Sequence, residues 1–321
     1  MLSRMLGAVA LSVPFLAGAQ SPSFPQQPVS IVVTTAPGGS VDAIARAIAA
    51  DLGKAFGKPV VVENRPGANG NIAAMHVKNA APDGHTLLML SSSTFTLNPF
   101  VLDRVPFDPQ KDFAPVAMTA GLNMVLVAGP TVKAASLDEL LSTMKARPGQ
   151  LNYGSSGNGS LPQVAAELLA KRTGTRATHV PYKGIAPALN DLLAGQIDFM
   201  FDSGTAMPHI NAGKLRALAV IGPNRLSIFP DVPTFKEAGV EGMEVAAGWH
   251  GIFAPAGTDP AIVERLNAEI NRSLASAAMR DRMASMGFES VALPAAALGR
   301  ALREDLQRLG PVVKQAGITA Y

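Results

Sequence analysis

Val29-Ser30-Ile31-Val32-Val33-Thr34-Thr35-Ala36-Pro37-Gly38-Gly39-Ser40-Val41-Asp42 passes from a β-branched run through a Gly-rich turn into a helix. Residues 29 to 35 have the composition of a short buried strand. Apolar residues then recur at helical spacing, at Val41, Ile44, Ala45, Ile48, Leu52 and Phe56, until Gly57 and Pro59 end the helix. Val60-Val61-Val62 is a second strand, and Asn64-Arg65-Pro66-Gly67-Ala68-Asn69-Gly70 is a polar loop that leads into a short helix. Pro82-Asp83-Gly84 turns the chain into a third strand at residues 86 to 90. A β-α-β-α-β order predicts a parallel sheet with right-handed crossovers.

The same architecture starts again downstream, without a sequence repeat. Strands are expected at 124–128, 151–154, 178–182, 197–201 and 215–221, with helices between them. Ser136-Leu137-Asp138-Glu139 and Ser160-Leu161-Pro162-Gln163 each read as a capping box opening a helix. Residues 249–254 form a further strand, and long helices are expected over 260–286 and 298–315. Helices without enough strands of their own must cover an existing sheet, so the chain returns to its first lobe. The expected division is lobe 1 at 24–122 plus 223–321 and lobe 2 at 123–222, in an α/β chain whose lobes are each a mainly parallel sheet flanked by helices.

The first nineteen residues read as an export signal. Arg4 precedes an apolar run from residue 6 to 17, and Ala17-Gly18-Ala19 is a small-x-small cleavage site, so cleavage is expected near Ala19. With no Cys in the chain, disulfides, thiolate metal sites, Cys nucleophiles and lipid attachment are excluded. Lys and Arg number 27 against 24 Asp and Glu and are scattered, which argues against a nucleic-acid partner.

In open parallel sheets, ligands bind beyond the carboxyl ends of the strands. Three loops there are rich in Gly and Ser: Ala36-Pro37-Gly38-Gly39-Ser40, Ser91-Ser92-Ser93-Thr94, and Gly154-Ser155-Ser156-Gly157-Asn158-Gly159-Ser160. Helices open after the first and third, so their unpaired N–H groups favour an anion. The alternative is ordinary capping, with Ser40 or Asp42 and Ser160 as the caps. Asp202, at the end of a strand, is either a ligand acceptor at the cleft edge or a cap for the next helix. Trp249 either packs in the core or touches ligand, and Lys183 is either an anion partner or solvated. Gly154-Ser155-Ser156-Gly157-Asn158 departs from G-x-S-x-G at its last residue, and no motif places His179, His209 or His250 beside Ser156. Metal spacing, a P-loop and an intact G-x-G-x-x-G are all missing, and no cofactor is expected.

Further stretches carry a family likeness: Glu63-Asn64-Arg65-Pro66-Gly67-Ala68, Ala81-Pro82-Asp83-Gly84-His85-Thr86-Leu87 and His179-Val180-Pro181-Tyr182-Lys183-Gly184. With the first loop, Gly213-Lys214-Leu215-Arg216-Ala217-Leu218-Ala219-Val220, Pro230-Asp231-Val232-Pro233-Thr234 and Ala254-Pro255-Ala256-Gly257-Thr258, they run in one order along nearly the whole chain. The chain resembles the substrate-binding proteins of tripartite tricarboxylate transporters, the Bug family. The resemblance implies a two-lobed periplasmic-binding-protein fold of Venus-flytrap type (type II). It implies a periplasmic, monomeric, non-enzymatic receptor that gives a small carboxylate to a membrane permease. The implied ligand contacts are Ala36, Pro37, Gly38, Gly39, Ser40, Ser155, Ser156, Gly157, Gly159, Ser160 and Asp202, to which the strand-end reading adds Ser92 and Ser93. One departure stands out: Val33-Thr34-Thr35 replaces the family's usual Pro-aromatic strand end, which puts ligand identity in doubt. Two other functions stay open at this point, a sensor that signals to a membrane kinase and an exported acyl hydrolase using Ser156.

Overall fold

The structure, a computed structural model, describes residues 24–222, 224–226, 228–243 and 247–318. The leader at 1–19 lies outside the described residues. The chain opens with β1 (Val29–Val33), α1 (Ser40–Phe56), β2 (Val60–Asn64), a 3-10 turn (Ala68–Gly70), α2 (Asn71–Lys78) and β3 (Thr86–Ser91). Two short helices, α3 (Ser93–Thr96) and α4 (Asn98–Val101), lead to β4 (Phe113–Leu122). Then come β5 (Met124–Ala128), α5 (Leu137–Ala146), β6 (Asn152–Ser155), α6 (Leu161–Thr173), β7 (Thr178–Pro181), α7 (Ile185–Leu193), β8 (Phe199–Asp202), α8 (Met207–Asn211) and β9 (Arg216–Ile221). The chain closes with β10 (Gly248–Pro255), α9 (Pro260–Leu274), α10 (Ala277–Ser285), β11 (Glu289–Ser290) and α11 (Ala295–Ala316).

Two sheets result, one per lobe. The first has six strands in the order β11-β4-β10-β3-β1-β2, and the second has five in the order β7-β6-β8-β5-β9. In each, the expected parallel run is present: β2, β1 and β3 in the first, and β7, β6 and β8 in the second. The remaining pairings are antiparallel, so both sheets are mixed rather than mainly parallel. In the second sheet β5 lies between β8 and β9 and runs against both; in the first the cause is the return of the chain. β10 enters the first sheet between β3 and β4 and runs against both.

Apolar periodicity explains the layers. Val29, Ile31 and Val33 of β1 share one core with Ile44, Ile48 and Leu52 of α1 and with Leu266 and Ile270 of α9. Val32 points to the opposite face, among Ala73, Ala74, Phe95, Phe253 and Leu298. Burying each such large side chain is worth roughly 1.5–3 kcal/mol, so helices on both faces are what hold this sheet. Trp249 packs in that second layer, and its indole N–H donates to Asp305 Oδ2 at 2.8 Å. That is the core alternative of the sequence reading.

Three local expectations need correcting. The strand β4 was not anticipated, although it is central to the first sheet. The helix expected over 260–286 is two helices, broken at Ser276, whose Oγ accepts the Met279 N–H at 3.2 Å. The return expected at 223 comes after residue 243. Leu226, Ile228, Phe229 and Val232 pack on one face of the second lobe, Phe235, Val240 and Met243 on the other, and Thr234 bridges Val220. The first crossing is at Asn123, between β4 and β5. The lobes also share packing, since Leu97, Val101, Leu309 and Val313 lie in one cluster with the second-lobe residues Leu161, Val164 and Leu168.

Candidate functional site

The loop that follows β2 meets the loop that follows β6. Asn69 Nδ2 donates to the Asn158 carbonyl at 2.9 Å, joining the two lobes directly. Asn69 sits in the left-handed region (φ 52°) and is held by Asn98, whose Nδ2 donates to the Asn69 carbonyl and to Asn71 Oδ1. Gly70 follows it under close constraint, because a Cβ there would lie 2.6 Å from Thr94 Oγ1 and 3.0 Å from Thr34 Cγ2. On the second-lobe side, Gly159 has φ 72°, and a Cβ there would lie 2.3 Å from Val101 Cγ2. Glycine is required at this point by both backbone and neighbour.

The helices that follow the parallel strands begin alike. α1, α2, α6 and α7 start without a side-chain cap. Away from those strand ends, Ser136, Asp259 and Ser276 cap α5, α9 and α10. Of the two expected capping boxes, the one at Ser136 therefore forms, with Glu139 Oε2 reaching back to the Ala135 N–H. The one at Ser160 does not. Gln163 Oε1 accepts from the Gly159 N–H at 2.6 Å instead, and Ser160 Oγ is buried without a partner. In the first lobe, Ser40 does not cap either: Gly39 is the N-cap residue, and Asp42 Oδ2 accepts from the Gly38 N–H at 3.0 Å.

Each lobe holds a buried hydroxyl with no protein partner, Thr35 Oγ1 just after β1 and Ser160 Oγ at the start of α6. An unpartnered buried hydroxyl costs roughly 1–3 kcal/mol, which a ligand oxygen would recover. The other such buried atoms belong to His85, His250 and Asn271, outside these loops. Charge is sparse. Burial raises the Asp42 carboxyl, but hydrogen bonds from Arg46, the Gly38 N–H and Asn64, with the Arg46 charge, more than offset this and leave it below the ordinary value. Arg46 is committed to Asp42 at 2.9 Å and to Asn64. Helix-start N–H groups and hydroxyls are thus among the donors these loops carry. Beside the Asn69–Asn158 contact runs an open groove of about 410 Å³, lined by Asn71, Val101, Asp103 and Arg104 among others. Thr35 and Ser160 are not among its walls.

The other expected site residues fall as follows. Ala36, Pro37 and Gly38 are exposed, and Gly39 and Ser40 are half-buried. Ser92 is buried, with its Oγ accepting from the Trp249 N–H at 3.3 Å, and Ser93 opens α3. Ser156 and Gly157 are half-buried. Asp202 is buried, and its carboxylate accepts from the N–H groups of Gly204 and Ala206, both at 2.8 Å, and from the Thr205 hydroxyl. That is the turn-capping arrangement. Lys183 is exposed. Ser155, not Ser156, meets a histidine: Ser155 Oγ and His179 Nε2 are 2.6 Å apart. Sequence reasoning passed over Asn69, Gln163 and the Ser155–His179 pair. Asn69 had a signal, since Asn-Gly ends the loop after a parallel strand, the same position as the other loops.

The profile of the family described as tripartite tricarboxylate transporter family receptor matches residues 44–318. The chain belongs to this family. Among curated relatives of the family, the protein BugT of Bordetella pertussis is 36% identical over 322 residues, covering 98% of this chain and 98% of its own length. A protein of the tcbD-tcbE intergenic region of Pseudomonas sp. strain P51 is 37% identical over 300 residues, covering 93% of this chain and 89% of its own. Among solved structures, Rpa4515 of R. palustris with adipate has 34% identity and a TM-score of 0.89, covering 93% of this chain and all of that one. MatC of Rhodopseudomonas palustris with bound malate has 35% identity and a TM-score of 0.84, over 90% of this chain and all of that one. The periplasmic binding protein BugD has 32% identity and a TM-score of 0.86, over 93% of this chain and all of that one. The two-lobed periplasmic-binding-protein fold is therefore shown, and with it the role of a solute-binding receptor rather than an enzyme.

Proposed function

We propose that this protein is a periplasmic receptor that closes its lobes on one small carboxylate and presents it to a membrane permease of the tripartite tricarboxylate type. The leader directs export and is removed near Ala19, and the receptor acts as a monomer. The observation that carries this reading is the pair of buried, unpartnered hydroxyls, Thr35 Oγ1 and Ser160 Oγ, one in each lobe beside an uncapped helix start. A carboxylate offers two oxygens and a full negative charge, and it matches hydroxyl and backbone N–H donors without needing an arginine. Relatives of the same fold whose structures hold adipate and malate support that ligand class. The first-lobe contacts run from Ala36 to Ser40 with Ser92 and Ser93, and the second-lobe contacts from Ser155 to Ser160. Asp202 acts by shaping its turn and keeps one acceptor position on Oδ1 for a distal group of the ligand.

A thermal-shift panel of C4–C6 mono- and dicarboxylates, with the methyl ester of each acid alongside, tests the reading. An acid present at 100 times its dissociation constant adds about 2.7 kcal/mol, which a melting curve resolves. A free acid that raises the midpoint while its ester does not is the expected result. A panel in which ester and acid act alike would remove the carboxylate cradle.

A further inference from the structure

The second-lobe loop is held by a chain of hydrogen bonds in which each donor fixes the next. The Gly159 N–H donates to Gln163 Oε1 at 2.6 Å. A backbone N–H can only donate, so this amide oxygen accepts and Gln163 Nε2 is left as the donor. That nitrogen lies 3.2 Å from His179 Nδ1, which must therefore accept and carry no proton. The proton of the neutral ring is then on Nε2, and it donates to Ser155 Oγ at 2.6 Å. The Ser155 hydroxyl donates to the Gly157 carbonyl at 3.0 Å, and its Oγ accepts from the Gly157 N–H at 3.1 Å. With its proton on Nε2, His179 has no lone pair to offer the Ser155 hydroxyl, and Ser155 is wholly buried. The pair that looks like a nucleophile and its base is a brace.

We infer that His179 is a positioning residue: as the neutral, Nε2-protonated ring, it sets through Gln163 and Ser155 the course of the loop from Gly157 to Ser160. This rests on the proposed function, in which that loop meets the carboxylate. The surroundings favour the neutral ring. It stacks on Tyr153 with centroids 4.8 Å apart, and among the described residues β7, its own strand, pairs only with β6. Tyr153 donates to Glu167 Oε1 at 2.5 Å, so the α6 carboxylate one turn beyond Gln163 is spent on the phenol. Among the described residues, no charged group bonds either ring nitrogen. Burial pushes the ring down to about 4. A second proton would set Nδ1–H against the Gln163 N–H, and either Gln163 turns over and drops Gly159, or the ring swings and drops Ser155.

The test uses the mature full chain and has two arms. In the first, without ligand, amide and imidazole NMR signals are followed from pH 7.5 to 3.5. His179 is expected as the Nε2–H tautomer at pH 7, with the Gly157 and Gly159 amides moving together at its own midpoint. Glycine amides that stay still while His179 titrates would overturn the inference, as would an Nδ1–H ring at pH 7. The second arm measures adipate affinity at pH 7, where the probe's charge is constant. Gln163→Leu is expected to weaken binding about tenfold, the effect of one lost charge-assisted or positioning bond. Gln163→Glu can accept from both the Gly159 N–H and a protonated ring, and it is expected to recover affinity to within about threefold. Equal weakness in Glu and Leu variants would overturn the inference. Absence of adipate binding in the natural protein would count against the functional reading, while the first arm still decides the role of His179.

Discussion

Gly159→Ala separates what the loop costs to fold from what it contributes to closure. The new Cβ meets two obstacles of different kinds. The first is backbone: φ is 72°, and an L-residue held in the left-handed region costs roughly 1–2 kcal/mol whether or not the lobes are closed. The second is steric: the Cβ would lie 2.3 Å from Val101 Cγ2, which is carried by α4 in the connection between β3 and β4. Forcing an extra carbon into such a contact costs about 1–3 kcal/mol, and this part arises across the lobes. At 1.4 kcal/mol per factor of ten, affinity should fall by about 5- to 150-fold. The assay is isothermal titration with an acid that the thermal-shift panel selects, run on Gly159→Ala, Val101→Ala and the pair. Removing Cγ2 should restore part of the lost affinity, so the cycle should show a coupling of about 1 kcal/mol or more. Natural affinity in Gly159→Ala, or no recovery in the pair, would refute the idea that this loop closes against α4.

Further outcomes follow from the same geometry. Trp249→Phe leaves the Asp305 carboxylate without its buried indole donor, and it should cost about 1–3 kcal/mol of stability in chemical denaturation without altering ligand specificity. Asp202→Ala removes the acceptor for two N–H groups and a hydroxyl. It should lower the melting temperature by several degrees, and a variant as stable as the natural protein would show the turn does not depend on it. His179 and His250 are pushed down by burial to about 4 and about 3, below the 6.5 of a free imidazole. The unfolded chain therefore binds more protons between those values. Stability is fully present above pH 6.5 and should fall as pH drops toward 4, by up to about 1.4 kcal/mol per unit per group. A melting temperature flat from pH 7 to 4 would contradict the burial of both rings.

Much of this molecule is legible in its sequence where local patterns act alone. The β1–α1 passage, the strands of both parallel runs and the cap at Ser136 follow from periodicity, β-branching and turn residues. β4 escapes because Phe113-Ala114-Pro115-Val116-Ala117 carries a proline, which argues against a central strand. The sheet accommodates it at a register shift beside Phe253, where β11 does not reach, since β11 pairs only at Ala120 and Gly121. The break at Ser276 hides inside an apolar period of four. The late return of the chain hides because residues 226–243 form no strand of their own among the described residues, although their apolar side chains complete the second lobe. The glycine-rich loops that follow β1 and β6 are legible from their glycines. Their wiring is not, because Gln163 sits where a capping box needs it and only the packed structure shows that it turns to Gly159 and His179 instead.

The most direct measurement of the central claim is titration of a selected acid into Thr35→Val, Ser160→Ala and the double variant, with the melting temperature of each recorded without ligand. Removing an unpartnered buried hydroxyl should raise ligand-free stability, by up to about 1–3 kcal/mol. Each change should nevertheless weaken binding about 5- to 20-fold, a loss of about 1–2 kcal/mol for one hydrogen bond to a charged group. If both variants bind the acid as the natural protein does, the carboxylate is not held between Thr35 and Ser160, and the two-lobed cradle is wrong.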